Sequence, residues 1–304
     1  MCAQLSLCWV RAVSLSRFVV SLVFAGIALT GCAKPPSPNL NLGQAVDRAA
    51  ITNSILPASQ PLTRQPMPER VFATGNIGGR TLAVATTADI ILQPGEVVLT
   101  FDDGPRPGKT EAVLETLSDF GAKATFLMLG SSAQAHPRLA QRVAASGHTV
   151  GSHTYDHVDL GTLSSQEALD EVARGERAVQ TALAGGGQVL SPFFRFPYLS
   201  QTGFLRTNLL QGNMVVLDVD IDSKDYYRDT PEVIVARTMA RLESRGSGIV
   251  LFHDIHQRTV DLLPIFMAEL KSRGYSVVRL VPKDTSVFGR DLITADGPLL
   301  RGTL

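Results

Sequence analysis

Cysteine is almost missing from this chain. Its 304 residues include three cysteines, Cys2, Cys8 and Cys32, all close to the N-terminus. Nothing after residue 32 can therefore form a disulfide or a cysteine-based zinc site. A metal bound by the body of the chain must use His, Asp, Glu or carbonyl ligands.

An excess of charge is also missing. The 28 Lys and Arg residues balance 28 Asp and Glu residues, and neither sign forms a long run. Without a basic stripe, no nucleic-acid partner is expected. The composition, 44% hydrophobic and 18% charged, is that of a globular protein with a substantial core.

Acidic residues are missing from residues 1–32. Two arginines, Arg11 and Arg17, precede a 12-residue apolar stretch over 18–29. That stretch is short for a membrane-spanning helix and has the length of a signal-peptide core. Leu-Thr-Gly-Cys32 then resembles a bacterial lipoprotein signal, in which Cys32 is lipidated and becomes the new N-terminus. An ordinary secretory signal cut nearby and a signal anchor are the alternatives.

The anchor and the composition after it predict the domain organisation. Residues 33–70 are rich in proline and read as a tether. Residues 71–94 form an N-terminal extension in which Thr81–Ala85 is a candidate strand. Residues 95–283 form the main domain, and residues 284–304 a C-terminal tail. Ala33, following the cysteine, resembles sorting to the outer membrane, so we expect a lipid-anchored protein facing the periplasm or the exterior.

The main domain repeats one pattern. A stretch with helical apolar spacing, a glycine and an apolar strand follow one another four times, with the glycines at Gly121, Gly147, Gly246 and Gly274. This repetition predicts a parallel α/β fold. About seven strands alternate with helices, which favours a barrel over an open doubly wound sheet, the alternative.

A strand that ends in two carboxylates is central to the functional prediction. The apolar run Val97–Phe101 leads into Asp102 and Asp103, and Gly104-Pro105 predicts a turn. Parallel α/β folds carry their chemistry at such strand ends. Because adjacent carboxylates repel each other, a cation, a metal or a proton must compensate them.

Two histidines follow a later strand. His153 and His157 are four residues apart, a spacing that places both imidazoles on one face of a helical turn. Since the ends of parallel strands meet at one rim, the histidines are expected beside Asp102 and Asp103. Two histidines and one carboxylate form a ligand set with open positions.

Further polar clusters also follow strands, and together they resemble a known family. The five blocks are Thr100-Phe101-Asp102-Asp103, His153-Thr154-x-x-His157, Arg195-x-Pro197-Tyr198, Asp222-x-x-Asp225-Tyr226 and Leu251-x-His253. In this order they resemble the polysaccharide deacetylase family, the NodB-homology domain of carbohydrate esterase family four, over roughly residues 95–283. The resemblance implies a distorted (β/α)7 barrel.

The resemblance also implies residue roles on the metal side. Asp103, His153 and His157 would bind a divalent metal, commonly zinc, with cobalt or nickel as substitutes. Asp102 would be the general base, and Arg195 would pair with it and keep it ionised.

On the other side of the site, the resemblance makes His253 the general acid and Asp225 the residue that orients and charges it. Tyr198 would offer a backbone N–H to the oxyanion, and Leu251 would pack against the acetyl methyl group. Tyr226 stands where the family usually has a tryptophan that walls the sugar cleft. Leu199 follows Tyr198 where glycine is common, so the oxyanion turn is expected to differ.

The activity implied is removal of N-acetyl groups from N-acetylglucosamine-type residues of an acetylated glycan such as peptidoglycan or a chitooligosaccharide. An O-acetyl esterase acting on a xylan-like glycan uses the same machinery and is the first alternative. A non-catalytic glycan-binding lipoprotein is the second, although binding alone does not require both Asp102 and His253.

Overall fold

The computed structural model describes residues 75–283, which form nine strands and seven α-helices. The predicted signal segment (1–32), the tether (33–70) and the tail (284–304) lie outside the described residues. The strands are β1 (Gly78–Val84), β2 (Glu96–Asp102), β3 (Thr125–Met128), β4 (Thr149–Ser152), β5 (Phe193–Phe194), β6 (Val215–Val216), β7 (Ile221–Asp222), β8 (Gly248–His253) and β9 (Ser276–Pro282). The helices are α1 (Thr110–Asp119), α2 (Gly130–Ala135), α3 (Pro137–Ala145), α4 (Ser165–Ala184), α5 (Gly203–Gln211), α6 (Pro231–Arg245) and α7 (Gln257–Ser272).

Seven of the strands form a nearly closed parallel barrel. The pairing order is β7-β8-β2-β3-β4-β5-β6, and every recorded pair is parallel. No pairing joins β6 to β7 among the described residues, so the barrel is open there. The predicted (β/α)7 barrel is confirmed, and the open doubly wound sheet is not the fold.

The other two strands close one end of the barrel. β1 pairs with β9, and β9 pairs with the start of β2 at Glu96 and Val97. Val278 and Leu280 of β9 and Val84 of β1 share one apolar cluster with inward-facing residues of β2, β3, β5, β6 and β8. The candidate strand at residues 81–85 therefore belongs to the sheet and helps to fill the barrel interior.

Alternation along β2 separates the core from the site. Val97, Leu99 and Phe101 belong to the outer core between strands and helices, whereas Val98 belongs to the inner cluster. Since successive strand residues face opposite sides, Thr100 and Asp102 share the inner face with Val98. The apolar run thus anchors the strand on both faces and delivers Asp102 to the mouth of the barrel.

The helix ends follow the predicted pattern. Gly121, Gly147, Gly246 and Gly274 all have positive φ, between 61° and 82°. At the end of α6, the Gly246 N–H bonds the Leu242 carbonyl in the left-handed conformation that glycine adopts without strain. No helix within residues 75–283 is both long enough and apolar enough to cross a bilayer.

Candidate active site

Strand β2 ends at Asp102, and the two adjacent carboxylates then diverge. Asp102 is 2% exposed and continues the inward face of the strand. Asp103 adopts φ 75°, a left-handed conformation that turns the chain sharply. Asp102 contacts Arg195 and Asp103 contacts His157, while both carboxylates also lie within 3.8 Å of His153 Nε2.

Arg195 supplies the positive charge beside Asp102. It follows β5 and is 1% exposed. Its Nη1 donates to Asp102 Oδ1 and to Thr100 Oγ1, each at 2.8 Å, and its Nε donates to the Leu217 carbonyl at 3.0 Å. A buried charge needs both a partner of opposite sign and hydrogen bonds, and Arg195 has both. The structure thus places the predicted Arg195–Asp102 pair in direct contact.

Asp103, His153 and His157 converge on one point. Asp103 Oδ1 lies 3.5 Å from His153 Nε2 and 3.4 Å from His157 Nε2, and one ligand atom from each residue fits within 4.8 Å of the others. Ligands bound about 2.0–2.2 Å from a tetrahedral ion lie about 3.3–3.6 Å apart, so these separations suit one ion.

The donor chemistry also fits a cation. Asp103 Oδ1 is buried and accepts no hydrogen bond within residues 75–283. His153 Nδ1 lies 2.8 Å from the Arg195 carbonyl, which can only accept, so Nδ1 carries a proton and Nε2, 3.5 Å from Asp103 Oδ1, is the ring nitrogen that can bind a metal. Burial lowers the pKa of His157 despite the opposing charge of Asp103, which favours the neutral, metal-binding imidazole. The site fits a divalent metal, and its geometry leaves the identity of that metal open.

The two histidines meet by a different route from the one predicted. Residues 153–157 form a loop, not a helical turn. Thr154 and His157 both have positive φ, 68° and 58°, and the ring centroids of His153 and His157 lie 5.0 Å apart. The prediction of a shared helical face was wrong, because contacts from neighbouring helices hold this segment in left-handed turns.

His253 ends β8 and has its own carboxylate. Its Nδ1 lies 2.7 Å from Asp225 Oδ1, and its backbone N–H donates to Asp225 Oδ2 at 2.7 Å. Thr259 Oγ1 donates to the same oxygen at 2.6 Å. Burial disfavours the charged ring, but the hydrogen bond and charge of Asp225, together with Asp102 and Asp103, prevail and raise the pKa of His253 to about 9.

The base and acid candidates face each other across neighbouring strands. Asp102 of β2 and His253 of β8 are register partners, so both side chains lie on the inner face of the barrel. This places a buried carboxylate and a histidine of raised pKa on neighbouring strands, with Asp102 Oδ2 3.8 Å from His153 Nε2. Such a pair can accept a proton at one group and donate one at the other.

Two tyrosine rings lie beside the histidines of the site. Tyr198 is exposed and contacts His157 edge to face at 4.5 Å, and Tyr226 contacts His253 in the same way at 5.4 Å. Tyr226 O–H donates to Asp222 Oδ2 at 2.8 Å, which fixes the ring. Leu251 is buried on β8 and pairs with Thr100 in register. The structure therefore gathers every residue predicted for the site at one barrel mouth.

The turn at Tyr198 has a left-handed backbone at two successive residues. Tyr198 and Leu199 both have φ 56°. The N–H groups of Leu199 and Ser200 bond the carbonyls of Phe196 and Pro197. The recorded bonds of this turn do not use the Tyr198 N–H, the predicted oxyanion donor.

Sequence reasoning missed several supporting residues. Thr100 lies two residues before Asp102, so strand alternation would have placed it on the same face. Thr259 and Glu171 lie on helices, far in sequence from the groups that they support, and no spacing rule points to them. Asp254 is buried beside Gly104, where its Oδ2 accepts from Thr110 Oγ1 at 2.5 Å.

Comparisons with known proteins agree with this geometry. A sequence model of the polysaccharide deacetylase family matches residues 91–214. The peptidoglycan-N-acetylglucosamine deacetylase PgdA of Listeria monocytogenes is 32% identical over 185 residues, 60% of this chain and 38% of that protein. The chitin deacetylase of Colletotrichum lindemuthianum is 33% identical over 211 residues, 66% of this chain and 83% of that protein.

A solved structure is similar over a comparable length. The peptidoglycan deacetylase Bd3279 of Bdellovibrio bacteriovorus superposes with a TM-score of 0.63 and 38% identity, over 70% of this chain and 61% of that one. The chain spans well under half the length of the Listeria protein but most of the Colletotrichum protein. The barrel, the five blocks in order and the match to most of a curated relative lead to one conclusion: this chain belongs to the polysaccharide deacetylase family.

Proposed function

We propose that the chain is a metal-dependent hydrolase that removes N-acetyl groups from N-acetylglucosamine-type residues of a glycan and releases acetate. The observation that carries the proposal is that Asp102, whose Oδ2 lies 3.8 Å from His153 Nε2 of the Asp103–His153–His157 cluster, is the register partner of His253 on the next strand. Simple glycan binding requires neither a buried base nor a charged acid. Similarity to proteins named for peptidoglycan, chitin and chitooligosaccharide deacetylation supports the substrate class.

The protein's own residues divide the hydrolysis between them. Asp102, held by Arg195 and Thr100, accepts a proton from the attacking water as the new C–O bond forms. His253, charged through Asp225, donates a proton to the amide nitrogen as the C–N bond breaks, so that the sugar amine leaves neutral. General base and general acid catalysis each contribute roughly a hundred- to ten-thousandfold.

The remaining residues shape the space around the acetyl group. Asp103, His153 and His157 hold the metal, for which we propose zinc, with cobalt or nickel as substitutes. A divalent ion there supplies a more acidic water, with a pKa near about 7, and polarises the acetyl carbonyl. Leu251 packs against the methyl group, and the Tyr198 N–H faces the oxyanion. Tyr226 walls the sugar cleft.

Acetate release from a panel of glycans tests this proposal. The full chain, purified in detergent, freed of metal and then supplied with zinc, should release acetate and expose free amines on chitopentaose or peptidoglycan fragments. An Asp102→Asn variant should still bind zinc and should lose most of this release. Absence of release from every acetylated glycan, with zinc bound, would contradict the proposal.

An O-acetyl esterase would give a different result on the same panel. Acetate would then appear from acetylxylan without any new amine on chitopentaose. If neither substrate reacts but labelled chitopentaose binds, the chain is a non-catalytic glycan-binding protein. The panel therefore separates all three functions in one experiment.

We also propose that Cys32 is lipidated and anchors the protein to the bacterial envelope, with outer-membrane placement favoured by Ala33. The apolar stretch over residues 18–29 followed directly by Leu-Thr-Gly-Cys supports this proposal. A proline-rich tether of about 38 residues would let the domain reach cell-wall glycan. Cells fed a palmitate analogue should label the wild-type protein and leave Cys32→Ala unlabelled; an unlabelled wild type would refute the anchor.

A further inference from the structure

The loop that joins the two histidines of the metal cluster has an unfavourable backbone. Thr154 and His157 have φ values of 68° and 58°. A positive φ is uncommon outside glycine, and for a β-branched residue such as threonine it is an outlier. Conformations of this kind persist only where the surrounding structure enforces them, and they concentrate at functional sites.

The carbonyl side of this loop is held by the start of α2. The Gly130 N–H donates to the Thr154 carbonyl at 2.8 Å. The Tyr155 carbonyl accepts from the Ser131 N–H at 3.1 Å and from Ser131 Oγ at 2.8 Å. These bonds fix where the loop begins, and they leave its N–H groups to another partner.

That partner is one carboxylate on α4. Glu171 Oε1 accepts from the Tyr155 N–H at 3.0 Å and from the Asp156 N–H at 2.7 Å. The Glu171 side chain is only 11% exposed, and its bond to the Tyr155 N–H is partly buried. Bonds from N–H groups to an ionised carboxylate are stronger than bonds between neutral groups.

The helix is shaped to approach the loop this closely. One turn after Glu171, a Cβ atom at Gly175 would collide with the backbone carbonyl of Thr154. Arg174 lies 3.5 Å over the ring of Tyr155, and its Nη1 donates to Asp156 Oδ2 at 3.2 Å. Helix α4 therefore contacts every residue between the two histidines.

We propose that Glu171 is a positioning residue that sets the affinity of the metal site by holding the 154–156 loop in the conformation that brings His153 and His157 together. It contacts neither histidine. It acts through the N–H groups of Tyr155 and Asp156. Without Glu171 these groups would lose their acceptor, and the loop could relax toward an ordinary backbone conformation. The inference rests on the proposed metal site and adds a residue that the family blocks do not include.

Zinc affinity of the metal-free full chain, measured by competition with a chromogenic chelator, tests this inference. Loss of a group hydrogen-bonded directly to a metal ligand typically costs 10–100-fold in affinity. Because Glu171 acts one step further away, through the loop backbone, we expect a loss of about tenfold for Glu171→Ala, at the lower end of that range. Glu171→Gln keeps a neutral acceptor of the same shape and should lose less. Asp170→Asn is the matched control, since Asp170 is the neighbouring acidic residue on α4 and its side chain is exposed. The zinc affinity of this variant should match that of the wild type.

A second readout separates positioning from catalysis. At saturating zinc, Glu171→Gln should recover most of the wild-type kcat for acetate release, because the residue touches no reacting group. Wild-type zinc affinity in both Glu171 variants would overturn the inference. If Glu171→Ala does not fold, the isosteric Glu171→Gln decides the question alone. A wild-type chain that binds no zinc would instead refute the proposed function itself.

Discussion

The metal side and the acid side of the barrel mouth both use histidine, and they differ in what lies behind each ring. His153 Nδ1 faces the backbone carbonyl of Arg195, a neutral acceptor at 2.8 Å. His253 Nδ1 faces the carboxylate of Asp225 at 2.7 Å. The carbonyl fixes the tautomer without adding charge, whereas the carboxylate stabilises the protonated ring. The same side chain is thus suited to binding a metal in one place and to donating a proton in the other.

His148 extends the comparison to a histidine without a functional role in our account. It is buried behind β3, where its Nδ1 accepts from the Ala124 N–H at 3.1 Å. Burial, with the nearby charges of Lys123 and Arg279, lowers its pKa to about 3. Burial beside cationic neighbours therefore lowers the pKa of a histidine, and a carboxylate such as Asp225 reverses the direction of the shift.

Removing the Asp225 carboxylate should have the largest effect, because it removes the difference between His253 and His153. Asp225→Asn should lower kcat for deacetylation about a hundred- to ten-thousandfold, the range expected for general acid catalysis. His253 is protonated below its raised pKa of about 9, so wild-type kcat should fall as the pH rises through that value. In the variant the alkaline fall should move to lower pH, as measured in kcat–pH profiles.

The matched measurement is zinc affinity, which Asp225→Asn should leave unchanged. The Asp225 carboxylate bonds His253 and Thr259, neither of which belongs to the metal cluster. An unshifted alkaline limb would contradict the assignment of Asp225. Equal losses of zinc affinity and kcat would show instead that the two sides are not separate.

Gly104→Ala should have the next largest effect, because Gly104 lies where the two sides meet. A Cβ atom there would collide with the buried carboxylate of Asp254, which follows His253 directly. Overpacking of this kind costs about 1–3 kcal/mol in the free energy of unfolding, and it should displace Asp103 from His253. Denaturant unfolding and kcat measure the two effects.

Gly203→Ala is the control for that substitution, since a Cβ atom at Gly203 meets nothing within 4 Å. Adding Asp254→Ala to Gly104→Ala should recover part of the lost stability by removing the colliding group. Wild-type stability in Gly104→Ala alone would mean that the two strand ends are not packed as described.

The smallest effect concerns the third histidine. In the unfolded chain His148 takes up a proton near pH 6.5, whereas in the folded chain burial lowers its pKa to about 3. The unfolded state therefore binds more protons between these values, and stability is full above pH 6.5 and falls as the pH drops toward 3. One proton corresponds to a slope of about 1.4 kcal/mol per pH unit.

His148→Asn places a side-chain carbonyl oxygen near the position that Nδ1 occupies in the wild type, where it can accept from the Ala124 N–H, and it removes the titratable group. The variant should lose about one proton's slope between pH 6.5 and 4 in denaturant unfolding, with kcat at neutral pH unchanged. An unchanged slope would show that His148 is accessible to protons in the folded state.

Much of the fold could be predicted because its signals are local. The apolar run from Val97 to Phe101 and the four helix-ending glycines depend on neighbours in sequence, and the structure has them where they were expected. β7 is only two residues long and escaped detection because so short a strand has no period. β5 and β6 are also only two residues long, so neither shows an alternating period of its own.

The site divides in the same way. Asp102, Asp103 and His253 are marked by strand ends, which the sequence shows. Glu171 and Thr259 act across the fold on loops that they do not adjoin, and only the three-dimensional structure brings them there. The left-handed backbone at Thr154 could not be predicted, because glycine usually marks such a turn and threonine does not.

The central claim is that one ion, held by Asp103, His153 and His157, is required for acetate release. The most direct measurement titrates zinc into the metal-free full chain and into Asp103→Ala, recording bound zinc and acetate release from chitopentaose or peptidoglycan fragments together. Our account predicts that both signals rise in parallel to one zinc per wild-type chain and that neither rises in the variant. Acetate release that persists without metal, or that survives in Asp103→Ala, would contradict it.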